Sequence, residues 1–287
     1  MRERGQWLIL AAAMLWGTTG TAQALAPPGA TPVAIGAVRI ALGGSLMLAY
    51  ALKIGAFRLK RRWPIGLTLA GATCMAAYQL LFFAGVARAG VALGTIVGIG
   101  SVPVLGGVIG YLVYREHPGR RWALATLMAV VGCGLLLFPG SHQQTDGLGL
   151  FLAVGAGLAY AIYTAVSKRL IESQPPEAVM AVTFCLGAIL LLPVICMADF
   201  SWLASPGGLA VALHLGVNTV GIAYILFGRG LRTVPVSTTA TLTLAEPLTA
   251  GVLGILVLGE RLTGIALAGI LLIFAGLGWL TLGKNSK

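Results

Sequence analysis

Long apolar runs separated by short polar segments dominate the pattern of this chain. A helix that crosses a bilayer needs about 20 mainly apolar residues. The runs are continuously apolar and lack the alternation of barrel strands, so they predict helices. Ten runs are predicted to span the membrane, at residues 7–25, 32–52, 63–86, 90–113, 121–138, 147–168, 177–198, 208–228, 235–258 and 262–282.

The composition supports this prediction. Of the 287 residues, 58% are hydrophobic and only 9% are charged, and the mean hydropathy is +0.94. Soluble proteins carry about 25% charged residues. The chain lacks the polar surface of a soluble protein, so the predicted fold class is an all-α integral membrane protein with ten transmembrane helices.

The basic residues predict the orientation of the chain. Its formal net charge is +11. With a cytoplasmic N-terminus, Arg39 lies within a span, Arg88 and Arg261 lie outside, and the other 16 of the 19 lysines and arginines lie in cytoplasmic segments. This distribution follows the positive-inside rule. We therefore predict a bacterial inner-membrane protein with both termini in the cytoplasm and no nucleic-acid partner.

A shift of 144 residues aligns two distant parts of the sequence. The segment SVPVLGGVIGYLVYRE (101–116) aligns without gaps with AEPLTAGVLGILVLGE (245–260), and Glu116 falls on Glu260. Shared glycines, a proline and a glutamate in one register indicate an internal duplication. Because five predicted spans precede the second copy, that copy enters the membrane in the opposite orientation, as in many secondary transporters.

The duplication predicts two inverted five-helix repeats, residues 1–143 and 144–287. Pro103 and Pro247 occupy equivalent places near the centres of the fourth and ninth spans. A proline inside a helix removes one backbone hydrogen bond, so both are predicted to kink their helices. Interrupted helices at equivalent positions of two repeats mark the substrate site in secondary transporters.

Two charged residues, Arg39 and Glu246, are predicted to lie deep within spans. A charge at the bilayer centre costs about 2.5–3.5 kcal/mol on insertion scales, so neither should face lipid. Three roles are open for Glu246: it binds a cationic group of a substrate, it carries a coupling proton, or it neutralises Arg39.

Polar and aromatic side chains are also predicted at mid-depth on several spans. In lipid such groups either join helices by hydrogen bonds or line a cavity. Their convergence favours a central cavity. The predicted substrate-binding residues are Trp16, Thr19, Tyr78, Gln79, Ser101, Tyr163, Asn218, Tyr224 and Glu246.

Motifs for catalysis and metal binding are absent from the sequence. It contains no HExxH or GxSxG motif, and its four cysteines have unrelated spacings. We expect no cofactor, no metal and no enzymatic activity. The expected partners are a small-molecule substrate and membrane lipid, and the sequence leaves the oligomeric state open, a monomer being compatible with it.

Three segments resemble EamA-type members of the drug/metabolite transporter superfamily: LWGTTGTA (15–22), GAVRIALGG (36–44) and LAEPLTAGVLGILVLGERLT (244–263). The resemblance extends over the whole chain. It implies export of small metabolites, often amino acids and in some members aromatic ones, by alternating access through a cavity between inverted repeats. An uncoupled facilitator or channel for small solutes is the alternative, and a membrane-embedded enzyme has less support.

Overall fold

Helices make up most of the described chain. The computed structural model describes residues 2–58, 62–89, 91–136, 146–259 and 263–282, and these contain no strand. The α-helices are α1 (Arg2–Ala24), α2 (Pro32–Lys53), α3 (Ile65–Ala89), α4 (Val91–Tyr114), α5 (Arg120–Leu136), α6 (Gly147–Ile171), α7 (Pro176–Leu190), α8 (Leu192–Cys196), α9 (Pro206–Leu213), α10 (Ala223–Leu231), α11 (Val236–Leu242), α12 (Ala245–Leu256) and α13 (Gly264–Leu282). A 3₁₀ helix, Ser201–Ala204, precedes α9, and a π-helix, His214–Ile222, joins α9 to α10. The predicted repeat boundary at residues 143 and 144 lies outside the described residues, as do Glu260 and Arg261.

Seven helical segments of the described chain are long and apolar enough to cross a membrane. They are Ala34–Lys53, Ile65–Ala89, Val97–Tyr114, Gly147–Ile171, Pro206–Leu231, Val236–Leu256 and Gly264–Leu282. The other predicted spans are helical but fall short of this criterion for identifiable reasons. Threonines and Gln23 make the second half of α1 more polar, α5 is described over 17 residues, and α7 ends at Leu190.

The predicted span at residues 177–198 is interrupted. α7 ends at Leu190, and α8 begins at Leu192. Pro193 lies in the first turn of α8, where its missing N–H costs no helical hydrogen bond. Leu191 lies between the two helices, and its N–H donates to carbonyl oxygens at the end of α7. The prediction of one continuous helix was wrong here because Pro193 favours the start of a new helix.

The two halves pack against each other through a reciprocal set of contacts. α1 packs against α10 and α12, and α6, its equivalent after 144 residues, packs against α3 and α4. α2 packs against α7, α5 against α13 and α4 against α11, and in each of these pairs the partners are repeat equivalents. Equivalent segments therefore lie around a shared centre.

Hydrogen bonds join the two halves at the end of the molecule where α4 ends and α11 begins. Glu116 Oε1 accepts from the Val236 N–H at 2.7 Å, and Oε2 accepts from the N–H and hydroxyl of Ser237 at 3.0 and 2.7 Å. Trp122 Nε1 donates to the Ser237 carbonyl at 3.0 Å. The carboxylate of Glu116 thus caps α11, where unpaired N–H groups favour a negative charge.

The opposite end of the molecule carries an exposed cap at the start of α6. Asp146 Oδ1 accepts from the Leu148 N–H at 2.9 Å, and Oδ2 lies 3.2 Å from Arg88 Nη1. The hydrogen bond from Arg88 lowers the pKa of the Asp146 carboxyl below its usual range. Both side chains are exposed to solvent, so this ion pair contributes little to stability.

Candidate functional site

A small cavity lies where the middles of several helices meet. Its volume is about 30 Å³, which is enough to hold a water molecule. The first half contributes residues from α1 to α4, and the second half contributes residues from α6, α10 and the α11–α12 junction. The lining residues are Trp16, Thr19, Arg39, Tyr78, Ile99, Val102, Tyr160, Tyr224, Thr243 and Glu246.

Six of the lining residues form three pairs related by the 144-residue repeat. The pairs are Trp16 with Tyr160, Ile99 with Thr243, and Val102 with Glu246. Each pair brings equivalent positions of the two halves to the same space. The cavity therefore lies at the centre about which the two halves are arranged.

Aromatic rings form a continuous wall of the cavity. The Trp16 ring centroid lies 4.8 Å from that of Tyr224 and 6.3 Å from that of Tyr160, and the Tyr160 and Tyr78 centroids are 5.3 Å apart. Phe184 supports this wall from behind, with its centroid 4.2 Å from that of Tyr224. Tilted and edge-on contacts at these distances stabilise aromatic clusters, so the rings hold each other in place.

Both deeply placed charges face the cavity. Arg39 lies on α2 and Glu246 on α12, and both side chains are partly buried. The described residues contain no ion pair between them, although both line the same space. The two opposite charges attract each other across the cavity without a direct contact, so all three predicted roles of Glu246 remain predictions. The repeat places Val102 opposite Glu246, so the carboxylate belongs to one half only.

Three polar groups at the cavity are buried without a hydrogen-bond partner among the described residues. They are the indole Nε1 of Trp16, the guanidinium Nε of Arg39 and the hydroxyl of Tyr160. Trp16 and Tyr160 are 6% and 7% exposed, so bulk water does not satisfy them. A buried donor without a partner is costly, and these groups are therefore available to a polar molecule in the cavity.

The helix that carries Glu246 is interrupted beside the cavity. α11 ends at Leu242, and α12 begins at Ala245. Pro247 has no N–H to bond with the Thr243 carbonyl, which instead accepts from the Glu246 N–H at 2.9 Å. Glu246 consequently occupies the first turn of α12, where the helix dipole favours a negative charge.

The two predicted helix kinks differ in the structure. The break near Pro247 falls at residues 243–244, before the proline, whereas α4 continues from Val91 to Tyr114 with Pro103 inside it. The expected equivalence of the two prolines therefore does not extend to an equivalent break in each helix. Of the two equivalent helical segments, both within the described residues, the one that carries Glu246 is interrupted at this depth.

Gln79 was predicted to bind substrate but lies away from the central cavity. Its neighbour Tyr78 lines the cavity, while Gln79 is buried and lines a separate lateral pocket with Phe83. That pocket has a volume of about 340 Å³. Consecutive residues of a helix point about 100° apart, so only one of the two faces the cavity.

Ser101 and Tyr163 also lie away from the cavity lining. The Ser101 hydroxyl donates to the Gly98 carbonyl at 3.0 Å, within its own helix. Tyr163 is fully buried behind the aromatic wall, and its hydroxyl contacts Met180 Sδ at 3.2 Å. The structure places both where they pack helices together.

Asn218 belongs to a polar chain on the π-helix. Its Nδ2 lies 3.0 Å from His214 Nδ1, and His214 Nε2 lies 2.8 Å from the Thr18 hydroxyl, which donates to the Leu15 carbonyl. This chain joins the π-helix to α1 one residue away from Thr19. None of its three side chains lines the cavity.

Ile99, Val102, Tyr160 and Thr243 line the cavity but were not predicted as substrate-binding residues. The repeat provides a signal that identifies Tyr160 and Val102. Tyr160 is the equivalent of Trp16, and Val102 is the equivalent of Glu246. Ile99 and Thr243 are equivalent to each other and lie about one helical turn before Val102 and Glu246. Two of them are aliphatic, so a search for polar and aromatic side chains overlooks them.

Comparison with known proteins places the chain among transporters. Residues 3–138 and 147–282 each match the EamA-like transporter family. The chain is 44% identical over 269 residues to the uncharacterized transporter YwfM of Bacillus subtilis, covering 94% of this chain and 90% of that protein. It is 29% identical over 287 residues to the threonine/homoserine exporter RhtA of Escherichia coli K12, covering 98% and 92% of the two chains.

A solved crystal structure resembles the whole fold. The TM-score is 0.83, with 98% of each chain covered and 22% sequence identity. At this identity the likeness establishes the fold alone. The two family matches, the similar transporters and the apolar helices all agree with the resemblance that the motifs indicated. The chain therefore belongs to the EamA-like transporter family of the drug/metabolite transporter superfamily and is a multi-pass membrane transporter.

Proposed function

We propose that this protein is a secondary transporter that exports amino acids or similar small metabolites from the cytoplasm by alternating access through the central cavity. The observation that carries the proposal is the cavity itself. It lies at the middle of the helices, both halves line it, and unpaired donors and two opposite charges face it. The similarity to RhtA, a threonine/homoserine exporter, supports amino acids as the substrate class.

The proposed topology has ten spans and two inverted five-helix repeats. Five spans per half, residues 1–143 and 144–287, reverse the orientation of the second repeat, which fits the reciprocal packing of the two halves. The placement of lysines and arginines supports both termini in the cytoplasm of a bacterium, with the chain in the inner membrane.

The size of the cavity supports alternating access. Its volume is about 30 Å³, whereas ligand pockets generally measure about 300–1,000 Å³. The helices must therefore separate to admit an amino acid. A permanently open pore, which a channel would use, does not fit a cavity of this size.

The cavity supports transport better than catalysis. Its polar groups are a guanidinium, a carboxylate, hydroxyls and an indole N–H. Among the described residues no group of histidine, cysteine and carboxylate side chains could hold a metal ion. We propose that the protein acts without cofactor or metal on a small-molecule substrate, with membrane lipid as its surroundings.

Counterflow in proteoliposomes tests the proposed function. We expect saturable exchange of labelled amino acids, with L-threonine as the first probe. Trp16→Ala should lower the apparent affinity about fivefold, because it removes an aromatic wall and an unpaired donor worth about 1 kcal/mol. Trp7→Ala is the matched control on the same helix, since Trp7 is 56% exposed, and it should behave as wild type.

Two results would contradict the proposal. Flux that rises linearly with concentration, without saturation, would indicate a channel. If none of the amino acids in a full panel is taken up faster than by empty vesicles, amino acids are excluded as the substrate.

A pH gradient imposed in the same vesicles separates proton-coupled export from facilitated diffusion, because only coupled flux depends on the gradient.

The proposed topology predicts a sided labelling pattern. Cys196 is exposed at the end of α8, on the side proposed to face the periplasm, and the other three cysteines can be replaced by alanine. An impermeant maleimide should label Cys196 in intact cells. Arg232→Cys, placed in a variant without native cysteines, should react only after the membrane is opened. The reverse pattern would invert the proposed orientation.

A further inference from the structure

Arg39 and Glu246 form an unusual arrangement of charges. They lie on different halves of the molecule and line one cavity, yet the described residues contain no ion pair between them. Each charge is costly in the membrane interior. Without a direct contact the two charges gain only part of the attraction that would offset this cost. The arrangement is therefore poor as a structural ion pair and suited to a ligand placed between the two charges.

The hydrogen-bonding groups around the two charges are complementary to two different ligand ends. Arg39 Nε and Trp16 Nε1 have no partner and can only donate, so they suit an anionic acceptor such as a carboxylate. Glu246 is an acceptor, and the Thr243 hydroxyl already donates to the Ala240 carbonyl at 2.8 Å. The oxygen of Thr243 therefore retains acceptor capacity, and together with Glu246 it suits an ammonium group.

We propose that the cavity recognises a zwitterion, with the substrate carboxylate bound by Arg39 and Trp16 and the substrate ammonium bound by Glu246 and Thr243. This inference rests on the proposed transport function and deepens it. The remaining lining residues include the rings of Tyr78 and Tyr224 and the aliphatic side chains of the fourth span. These surfaces receive the side chain of the substrate.

Binding of a zwitterion at this site couples the two halves. Its carboxylate contacts α2 of the first half, and its ammonium contacts α12 of the second half. A ligand that carries both charges therefore favours the conformation in which the halves are close. An amine or an acid with one charge leaves the other protein charge unpaired, and such unpaired groups produce strong discrimination.

Ligand-induced thermal shift and competition measurements on the purified full-length chain test the inference. The probes are L-threonine, its decarboxylated analogue 1-amino-2-propanol and its deaminated analogue 3-hydroxybutyrate, followed by the same three forms of other amino acids. We expect the wild type to bind a zwitterion at least about tenfold more tightly than either single-charge analogue.

The variants Glu246→Gln and Arg39→Gln should give a crossed pattern. Glu246→Gln should weaken the zwitterion about tenfold and strengthen binding of the acid analogue, because it removes the carboxylate that this analogue leaves unpaired. Arg39→Gln should strengthen binding of the amine analogue for the same reason. Glu246→Asp and Arg39→Lys keep the charges and should retain part of the selectivity for the zwitterion. They test the inference even if a glutamine variant fails to fold. The surface ion pair of Arg169 and Glu172, 2.7 Å apart, supplies matched control variants, Arg169→Gln and Glu172→Gln.

Several outcomes overturn the inference. If each variant weakens the zwitterion, the amine and the acid by one common factor, the charges have only a structural role. If the double variant Arg39→Gln/Glu246→Gln regains wild-type affinity, they merely neutralise each other. Amino acids that bind and are transported without discrimination against single-charge analogues refute the zwitterion site alone. A chain that binds and moves no amino acid refutes the proposed function as well.

Discussion

Gly17→Leu is expected to abolish transport and to lower the stability of the protein strongly. Gly17 follows Trp16 on α1 and contacts α12 directly. A Cβ atom at this position would lie 2.5 Å from Thr249 Cβ and 2.6 Å from the Glu246 carbonyl oxygen. The second of these is a backbone atom, so no side-chain rotation relieves the clash. The whole of α1 must move away from α12.

The Gly17→Leu substitution disrupts the cavity. α1 carries Trp16 and Thr19, and α12 carries Glu246, so separating the two helices separates opposite walls of the site. Overpacking of a well-packed interior costs about 1–3 kcal/mol, and a leucine against a backbone carbonyl belongs at the upper end of this range. We expect counterflow below detection and a clear decrease in the melting temperature of the detergent-purified protein.

Gly20→Leu is the matched control for this prediction. Gly20 lies one turn further along α1, and a Cβ atom there would meet nothing within 4 Å. The same substitution at this position should leave the melting temperature and counterflow close to those of the wild type. A Gly17→Leu protein as stable and active as the Gly20→Leu protein would show that the close contact of α1 with α12 is unnecessary.

The helical architecture could be predicted because hydrophobic length and proline placement determine it locally. The segment predicted at 262–282 is α13, Gly264–Leu282, and the segment predicted at 147–168 begins α6 at Gly147. The break at residues 243–244 lies beside Pro247, where a kink was predicted, whereas α4 continues through Pro103. This difference and the π-helix His214–Ile222 depend on packing against other helices, which a single helix sequence does not contain.

The candidate site could be predicted only in part. Helical spacing places Trp16 and Thr19 on one face, and the structure brings that face to the cavity. Spacing does not reveal which face of a helix points inward when both faces carry polar groups. Tyr78 and Gln79 are neighbours that point in different directions, and only the tertiary structure distinguishes them. The internal repeat supplies the missing information for Tyr160 and Val102, the equivalents of Trp16 and Glu246.

Glu116→Gln is expected to open the end of the molecule where α4 meets α11. The Glu116 carboxylate accepts three hydrogen bonds from Val236 and Ser237, and these contacts join the two halves. The amide of glutamine presents an NH₂ group where the carboxylate presented an oxygen, so at least one backbone N–H loses its partner. A hydrogen bond to a charged group contributes about 1.5–3 kcal/mol, which corresponds to a change of about 10- to 150-fold in an equilibrium.

A cysteine at residue 240 provides the measurement. Ala240 lies on α11 one turn after Ser237 and is 2% exposed, so a thiol there reacts only when the halves separate at this end. In a variant without native cysteines, we expect the maleimide labelling rate of Ala240→Cys to rise about 10- to 150-fold when Glu116→Gln is added. Alternating access also predicts slower counterflow, because a transporter held open at one end completes fewer cycles.

The control for this prediction is a carboxylate at the C-terminal end of α6. Glu172 forms an exposed ion pair with Arg169 of the same segment, and this pair does not connect the two halves of the molecule. Glu172→Gln should therefore leave the labelling rate unchanged, because exposed pairs contribute about 0–1 kcal/mol. An equal labelling rate in the Glu116→Gln and wild-type backgrounds would show that the carboxylate cap does not hold this end closed. The closure would then depend on the apolar contacts between α4 and α11.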